Sequence, residues 1–324
     1  MLAYDTRKNI LSGESVALPD MNPTTLERPA YLLNVPFSLQ AQTANNVWMQ
    51  ELRPDERHID IKKAVDQFLQ LYNFMAAESV VYLLPTPRLQ GLQDLVYTAN
   101  LGIVVDHLSD HNSVILSNFS SKVRIPETSV GEHFFNDMGY DAIVSPYHFE
   151  GEAELKHLYD NVYIGGYGIR SDKRAYEWME EQFDMKIIKL EEKDQYLYHL
   201  DCTVFPLTKE DTMISTSMYS KEEIKSLEAV TNIIDIPQND AFSGICNSVR
   251  MGNTILNASN IHEMKRGDEY YESERKKNRT LEDIAVQYGF EVAFFNMSEF
   301  LKSGALLSCM VMHLNRKSYD IKLI

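Results

Sequence analysis

Short runs of strand-forming residues alternate with amphipathic helical segments from about residue 30 to the end, and this alternation limits the possible folds most strongly. Most runs are four to eight residues long, rich in Val, Ile and Tyr, and bounded by turn-forming residues, which is typical of strands. No Pro/Gly/Ser-rich linker divides them, so we expect one α/β catalytic domain over residues 26–324 after an N-terminal extension, 1–25. The predicted strands are 31–37, 79–86, 101–105, 113–119, 141–147, 161–166, 185–190, 195–205, 212–219, 232–237, 254–258, 291–296 and 306–314.

Helical periodicity and capping residues predict four helices between these strands. Ser220 followed by Glu223 forms a capping box, and a second helix is expected to begin at Thr280 and stop at Gly289. The highly charged stretch 268–279 is interpreted as a solvated helix face or a surface insertion. No repeat is visible by identity, although the recurrent strand, strand, helix, strand order is compatible with a structural repeat. The predicted helices are 59–77, 173–183, 221–230 and 280–289.

Charge and hydropathy narrow the functional classes. The chain carries 31 Lys and Arg against 47 Asp and Glu, a formal charge of -16. This is the opposite of the basic footprint of a nucleic-acid-binding protein, and an acidic field favours cationic small molecules. No apolar run reaches the roughly 18–20 residues needed to cross a bilayer. We therefore expect neither nucleic acid nor a membrane as a partner.

Cysteine usage and the N-terminus indicate the compartment. The three cysteines, Cys202, Cys246 and Cys309, are too few and too widely spaced for a disulfide framework or a zinc site. The first residues, MLAYDTRKNILSGE, lack the continuous apolar core of a signal peptide. We predict a cytoplasmic protein with no bound metal; the oligomeric state stays open, and a homo-oligomer is compatible with the sequence.

The stretch HLDCTVFPL places His199, Asp201 and Cys202 next to apolar strand-like sequence. Side chains alternate across a strand, so His199 and Asp201 are expected on one face and Cys202 on the buried face. One interpretation is a histidine and a carboxylate that meet the same ligand. The alternative is an edge strand whose outer face is wet.

Three further positions have both a functional and a structural interpretation. Asp94 and Asn100 bracket an otherwise apolar run and would share a face if that run were extended. Asn100 also precedes a Leu-Gly pair, as turn residues do. Cys309 follows the helix-like SEFLKSG at the junction with a predicted strand, where it is either a buried inert thiol or a nucleophile.

Charged residues at strand ends supply the remaining candidates. Glu150 follows the predicted strand 141–147, where a side chain can reach a cleft. Arg170 follows the glycine cluster YIGGYG, whose spacing and context do not match a phosphate-binding loop, so nucleotide binding is rejected. Arg124, in VRIPE, is by itself typical of a surface salt bridge.

Taken in order, seven segments resemble those of the guanidine-modifying (pentein) superfamily, which includes arginine deiminases, dimethylargininases, amidinotransferases and arginine dihydrolases. The most specific element is His199-x-Asp201 followed about a hundred residues later by Cys309. The resemblance implies a five-bladed α/β propeller of pseudo-fivefold ββαβ units with the site in a central channel. The segments are GLQDLVYTANLGIVV, VRIPE, FEG, GYGIRS, YHLDCTVFPL, CNSVRMGNTIL and SEFLKSGALLSC.

The resemblance also implies roles for the candidate residues. Cys309 would be the nucleophile, His199 the general acid and base, Asp201 a guanidinium ligand and Glu150 the partner that orients His199. These residue types suit the reaction, because the guanidinium carbon is a poor electrophile and needs a soft anionic nucleophile such as sulfur. A covalent thiouronium intermediate then divides the difficult substitution into two steps. One imidazole can serve both half-reactions, so neither metal nor organic cofactor is implied.

The substrate-binding set consists of Asp94, Asn100, Arg124 and Arg170. The two arginines fall where family members bind the substrate carboxylate. Asn100 falls where deiminases and dimethylargininases carry an aspartate. A neutral amide both donates and accepts, so it can also hold the ureido group of citrulline. Asn at this place resembles the arginine dihydrolases, which release ornithine, carbon dioxide and two ammonia.

The leading expectation is an arginine dihydrolase acting on a small cationic guanidino substrate. The alternatives are an arginine deiminase or dimethylargininase, an amidinotransferase in which an amine replaces water, and a non-catalytic arginine sensor. Two departures from the family pattern stand out. After FEG the family usually has Gly and Asp, where this chain has 152–154 (EAE), so a displaced acidic contact is expected. Near the N-terminus, NVPFSL stands where the family often has an Asn-Pro-Trp-Met-like segment. The charged stretch 268–279 is expected to cover the channel or to serve an interface.

Overall fold

A computed structural model describes residues 21–89 and 91–321. The expected extension 1–25 lies mostly outside the described residues, so its boundary stays a prediction. Fifteen short strands appear in the described part of the chain. They are β1 (Ala30–Asn34), β2 (Val80–Leu84), β3 (Gly102–Val104), β4 (Ser113–Leu116), β5 (Asp141–Val144), β6 (Leu155–Tyr159), β7 (Val162–Tyr167), β8 (Lys186–Glu191), β9 (Val204–Pro206), β10 (Asp211–Ile214), β11 (Asn232–Asp235), β12 (Ser248–Met251), β13 (Thr254–Ala258), β14 (Glu291–Phe295) and β15 (Met312–His313).

These strands form five separate sheets of three strands each, and every sheet has the same pattern. The middle strand pairs antiparallel with one neighbour and parallel with the other. The parallel connection requires a crossover, and a helix supplies it in each sheet. The sheets have the orders β15-β1-β2, β3-β4-β5, β6-β7-β8, β9-β10-β11 and β12-β13-β14.

The helices between the parallel strands complete five ββαβ units, the first of which is closed by the C-terminal strand β15. The fold is therefore mixed α/β, as predicted. Hydrophobic clusters between neighbouring units bury residues of the helices and the sheets. The helices are α1 (Val47–Glu51), α2 (Ile61–Glu78), α3 (Ile125–Asp137), α4 (Lys173–Phe183), α5 (Lys221–Glu228), α6 (Gln238–Phe242), α7 (Glu269–Gln287) and α8 (Ser298–Leu301).

Several sequence predictions are confirmed and others are wrong. Helix α4 has the predicted bounds, and α5 begins with the capping box of Ser220 and Glu223. The helix start at Thr280 is wrong, because the N-cap of α7 is Asp268, twelve residues earlier, and the Thr280 hydroxyl bonds within the helix to Lys276. The charged stretch thus forms the first half of α7. The pattern did not reveal α3, β6 or β12.

The predicted strand 195–205 is the most consequential error. Only Val204–Pro206 pairs in a sheet, whereas His199 precedes a 3₁₀ turn at Leu200–Cys202. The Cys202 amide donates to the His199 carbonyl, so these residues satisfy their backbone groups locally rather than across a ladder. The run around Asn100 is likewise a turn, and Asp94 and Asn100 do not share a strand face.

Within the described residues no helix is both long and apolar enough to span a membrane.

Candidate active site

Four of the candidate segments, those of Asn100, Glu150, His199 and Cys309, contain a turn that precedes the first strand of a ββαβ unit. The turn Thr98–Asn100 precedes β3, Gly151–Ala153 precedes β6, Leu200–Cys202 precedes β9 and Ser308–Met310 precedes β15. The turn Thr98–Asn100 contacts both Gly151–Ala153 and Ser308–Met310, and Gly151–Ala153 contacts Leu200–Cys202. Residues far apart in the chain thereby meet because each occupies the same position in its own unit.

Gly151 makes this close packing possible. Its φ of 63° is in the left-handed region, and a Cβ there would lie 2.4 Å from the Ala99 carbonyl oxygen. A side chain would therefore force the two turns apart.

Glu150 and His199 form a buried pair at this junction. Nε2 of His199 lies 2.9 Å from Oε2 of Glu150, and the Ser120 hydroxyl donates to Oε1 at 2.9 Å. Burial alone would raise the pKa of Glu150, but the hydrogen bond with His199 and the charge of Arg170 outweigh it and hold this pKa well below its usual range. A carboxylate kept ionised beside an imidazole fixes the ring orientation and stabilises its protonated form.

Cys309 lies beside Asp201 and Asn247. Its Sγ is 3.7 Å from Asp201 Oδ2 and 3.7 Å from Asn247 Nδ2. Burial, followed by the charge of Asp201, raises the pKa of the Cys309 thiol to about 12. The neighbouring Ser308 donates to Asp201 Oδ2 at 2.7 Å and thereby orients the carboxylate. In the unliganded protein the sulfur is thus held as a thiol.

The candidate binding residues line a narrow polar pocket of about 20 Å³ together with His199 and Cys309. Asp94 accepts a hydrogen bond from Asn45 at Oδ2. Its Oδ1 and the Asn100 Nδ2 are both buried and have no partner among the described residues. Buried polar atoms without partners are costly, so both atoms have capacity for a bound ligand.

The two arginines stand at this pocket in different surroundings. Arg124 is buried, with a 2.8 Å ion pair to Glu127 and its guanidinium 4.4 Å from the Phe119 ring centroid. The interpretation of Arg124 as a surface residue is therefore wrong. Arg170 donates to the Asn45 carbonyl at 2.7 Å and lies 3.7 Å from Glu150.

On the other side of Cys309 and His199 lies a much larger cavity of about 540 Å³. Asp201 and Cys202 line it, so the prediction that Cys202 packs on a buried strand face is wrong. Cys202 is partly exposed, and its thiol lies 3.8 Å from Asp201 Oδ1. Residues of α7 also line the cavity, so the charged stretch 268–279 contributes to its wall.

The segment after FEG distributes its acidic residues to different partners. Glu152 accepts hydrogen bonds from the backbone and ring of His313. Glu154 Oε2 accepts from the Leu200 amide at 3.2 Å, between His199 and Asp201. The Glu154 carboxyl thus supports the backbone of the turn after His199, and the displaced acidic contact stays a prediction.

Glu154 shares its site with Glu192. A Cβ on Gly166 would lie 2.8 Å from Glu192 Oε1 and 2.9 Å from Glu154 Oε2, so the two carboxyl groups are close neighbours. Burial raises the pKa of Glu154 to about 8, and burial and the charge of Glu154 raise the pKa of Glu192 well above its usual range. Two carboxylates cannot both be ionised at such a distance, so the pair holds a proton at neutral pH.

Sequence reasoning missed Asn247, Glu192 and Asn45 as site residues. Asn247 stands at the turn before β12, the position that the segments of Asn100, His199 and Cys309 occupy in their units. Recognition of the ββαβ repeat would have identified Asn247, but no local signal marks Glu192 or Asn45. Among the described residues no cluster of three or more His, Cys, Asp or Glu side chains could hold a metal ion.

The architecture and this site define the class of protein. The structure superposes on the N-terminal domain of ArgZ, a cyanobacterial arginine dihydrolase bound to product, with a TM-score of 0.75, 22% identity and coverage of 89% of this chain and 97% of that chain. It also matches a dimethylarginine dimethylaminohydrolase adduct with S-methyl-L-thiocitrulline, with a TM-score of 0.63, 17% identity and coverage of 88% and 99%. The chain thus has the mixed α/β pentein fold.

Residues 34–316 match the family described as N,N dimethylarginine dimethylhydrolase, eukaryotic, and the chain belongs to this family. A bifunctional arginine dihydrolase/ornithine cyclodeaminase, AgrE of Nostoc sp., is 25% identical over 90% of this chain and 39% of its own length. The dimethylaminohydrolase of Mycobacterium tuberculosis is 24% identical over 88% and 85%. The chain spans about two fifths or less of the first two curated relatives, which are bifunctional.

Proposed function

We propose that this chain hydrolyses the guanidinium group of arginine or a close derivative through a covalent thiouronium on Cys309. The observation that supports this most is the convergence of Cys309, Asp201 and the buried Glu150–His199 pair next to a pocket with two arginines. In this scheme Asp201 binds the guanidinium, and Arg124 and Arg170 with Asp94 bind the amino-acid end. The partner is then a small cationic guanidino compound.

The electrostatics of Cys309 give this reaction an order of events. A thiol with a pKa near 12 is unreactive alone, and the Asp201 carboxylate opposes its ionisation. A bound guanidinium would neutralise Asp201 and place positive charge beside the sulfur, which favours the thiolate. His199 then protonates the departing amine and later removes a proton from water, while Glu150 stabilises the imidazolium.

Asn100 supports the dihydrolase within this class. Its unpartnered Nδ2 is a donor, which a guanidinium cannot use but a ureido oxygen can. Citrulline would therefore be retained and hydrolysed again to ornithine, carbon dioxide and ammonia. The relatives named arginine dihydrolase agree with this choice. The family match favours dimethylarginine hydrolysis as the second candidate.

We further propose that the five ββαβ units are the blades of a propeller around a pseudo-fivefold axis and form a single catalytic domain over 26–324. The equivalent positions of the site-bearing turns support this arrangement. The three free cysteines support a cytoplasmic location. A homo-oligomer stays a prediction.

The decisive experiment is incubation with arginine, citrulline and dimethylarginine, followed by product identification by mass spectrometry beside a Cys309→Ala control. Ornithine and ammonia from arginine, absent in the control, would establish both hydrolytic steps. Citrulline as the final product would contradict the argument from Asn100. Turnover of dimethylarginine alone would favour the second candidate, and binding without turnover would indicate an arginine sensor.

A further inference from the structure

The two pockets beside Cys309 differ in size and in the residues that line them. The proposed anchors for the amino-acid end, Asp94, Arg124 and Arg170, all line the narrow pocket of about 20 Å³. The wide cavity of about 540 Å³ shares Cys309 and His199 with it but is lined by none of those three anchors. The reacting groups therefore stand at the boundary between a polar pocket and a larger space.

The surface of the wide cavity is mainly apolar. Trp48 and Tyr196 form part of one wall, with ring centroids 5.0 Å apart in an edge-to-face contact. Aliphatic and aromatic side chains line such a cavity when the ligand has apolar surface to bury. Departing ammonia has none. The further apolar lining residues are Phe242, Met264, Leu301 and Leu306.

Two polar side chains of the wall, Lys277 and Tyr196, are already paired with protein atoms. Lys277 Nζ uses its three hydrogens on Asn257 Oδ1, the Ala258 carbonyl and Glu274 Oε1. The Tyr196 hydroxyl donates to Glu51. A ligand in this cavity therefore meets chiefly hydrocarbon, except near Asp201.

The position of the reacting carbon decides which part of a ligand enters this space. If the amino-acid end is held by the arginines, the guanidinium carbon lies at Cys309 and the ω-nitrogens point away from the narrow pocket. We infer that the wide cavity holds an apolar substituent, larger than a methyl group, on an ω-nitrogen of the guanidino substrate. This inference rests on the proposed function and specifies its substrate class.

The corresponding reaction balances without any further reactant. The Cys309 sulfur forms a bond to the guanidinium carbon, and the bond from that carbon to the substituted nitrogen breaks. His199 donates a proton to the departing nitrogen, which leaves as a primary amine through the wide cavity. Water, deprotonated by His199, then forms the C–O bond as the C–S bond breaks, which restores the thiol and yields a ureido product.

The test compares L-arginine with its Nω-methyl, Nω-propyl and Nω-benzyl derivatives, with kcat/KM measured from the released amine and ureido product. Each methylene group that becomes buried should raise kcat/KM about fourfold. We expect the propyl compound to exceed the methyl compound by about tenfold, with the benzyl compound at least equal to propyl. A steady fall in kcat/KM beyond methyl would overturn the inference.

A variant that fills part of the wide cavity, with a matched control elsewhere, tests whether the preference for large substituents arises in that cavity. Leu301 lines the cavity and is 43% exposed, whereas Leu83 is 42% exposed and lies on β2 away from it. Leu301→Trp should lower the benzyl-to-methyl ratio of kcat/KM about tenfold, and Leu83→Trp should leave that ratio unchanged. Equal ratios in both variants would contradict the assignment.

Binding to the Cys309→Ala protein, measured by calorimetry, separates this inference from the proposed function. No turnover of any compound, including arginine and citrulline, would overturn the proposed function. Tighter binding of the benzyl compound than of arginine would still support the cavity, whereas equal or weaker binding would overturn it. Turnover of arginine with no binding of the benzyl compound would overturn the inference alone.

Discussion

Glu150 and Glu154 stand four residues apart on one segment, both are fully buried, and their pKa values are shifted in opposite directions. Burial is the largest influence on each and raises both pKa values. At Glu150 the hydrogen bond with His199 and the charge of Arg170 reverse this effect. At Glu154 the charges of Glu150 and Asp201 add to the effect of burial, and the pKa stays raised, near 8.

The comparison teaches that the charges around a buried carboxyl group, together with its burial, decide whether the group is ionised. It also separates two tasks at one site. The ionised Glu150 pairs with the His199 imidazole, whereas Glu154 holds the backbone of the turn after His199 through the Leu200 amide. Substitutions that remove charge should therefore have unequal effects at the two positions.

The largest effect is expected from Glu150→Gln. Glutamine keeps the shape but loses the charge that stabilises the His199 imidazolium, so kcat should fall by about 10²–10⁴-fold in the assay with the best substrate. Glu154→Gln is the matched control, since that carboxyl shares a proton, and it should cost less than about tenfold. Equal losses in the two variants would remove the distinction between them.

The second effect concerns stability and pH. The folded protein raises the pKa of Glu154 from its ordinary value of 4.5 to about 8, so it holds a proton that the unfolded chain releases in this window. Stability should accordingly fall as pH rises from about 5 to 8, by roughly 3 kcal/mol. Glu150 has the opposite sign, since its contribution is lost only as pH falls below about 4.5.

Glu192→Gln tests this sign. Glutamine cannot ionise, so the proton that Glu192 itself retains in the folded protein no longer contributes, and the decline between pH 5 and 8 should become smaller. Urea unfolding at pH 5.5, 7 and 8.5 measures the free energy of unfolding of each variant. The control is Glu191→Gln, since Glu191 is adjacent in sequence and half-exposed. A wild-type curve that is flat over this range would show that the pair does not retain its proton.

A third prediction concerns the space around the acid pair. An added Cβ in Gly166→Ala would lie within 2.9 Å of both carboxyl groups and should cost about 1–3 kcal/mol of stability. In a Glu192→Ala background the same change should cost about 1 kcal/mol less, because one of the two crowding carboxyl groups is gone. Additive costs in this double-mutant cycle would place the strain elsewhere.

The smallest effect is expected from Ser120→Ala. This removes the hydroxyl that donates to Glu150 Oε1 and should lower the free energy of unfolding by about 1 kcal/mol at pH 7. Ser226→Ala, which removes an exposed hydroxyl bonded within α5, should have no measurable effect in the same denaturation assay. An unchanged free energy of unfolding in Ser120→Ala would indicate that water replaces the serine hydroxyl.

Part of the fold was predictable because it depends on neighbours in sequence. Helix α4, strand β13 and the Ser220 capping box follow from periodicity and from side-chain-to-backbone bonds over a few residues. Helix α3 was missed because it lacks a clear apolar stripe, and its middle residue Gly131 packs against Leu101 of another segment. The strand predicted across His199 failed because distant Glu154 holds its backbone in a turn.

The candidate site likewise has features that the sequence determined and features that only the tertiary structure decided. By itself, the sequence determined the residue types and the order of the segments that carry Cys309, His199 and Glu150, since these are properties of the chain alone. Only the tertiary structure decided that Glu154 meets Glu192, that Asn247 reaches Cys309 and that the two sides of Cys309 differ in volume. The physical reason is that pKa values and cavities depend on distances through space and on burial, which residues remote in sequence create together.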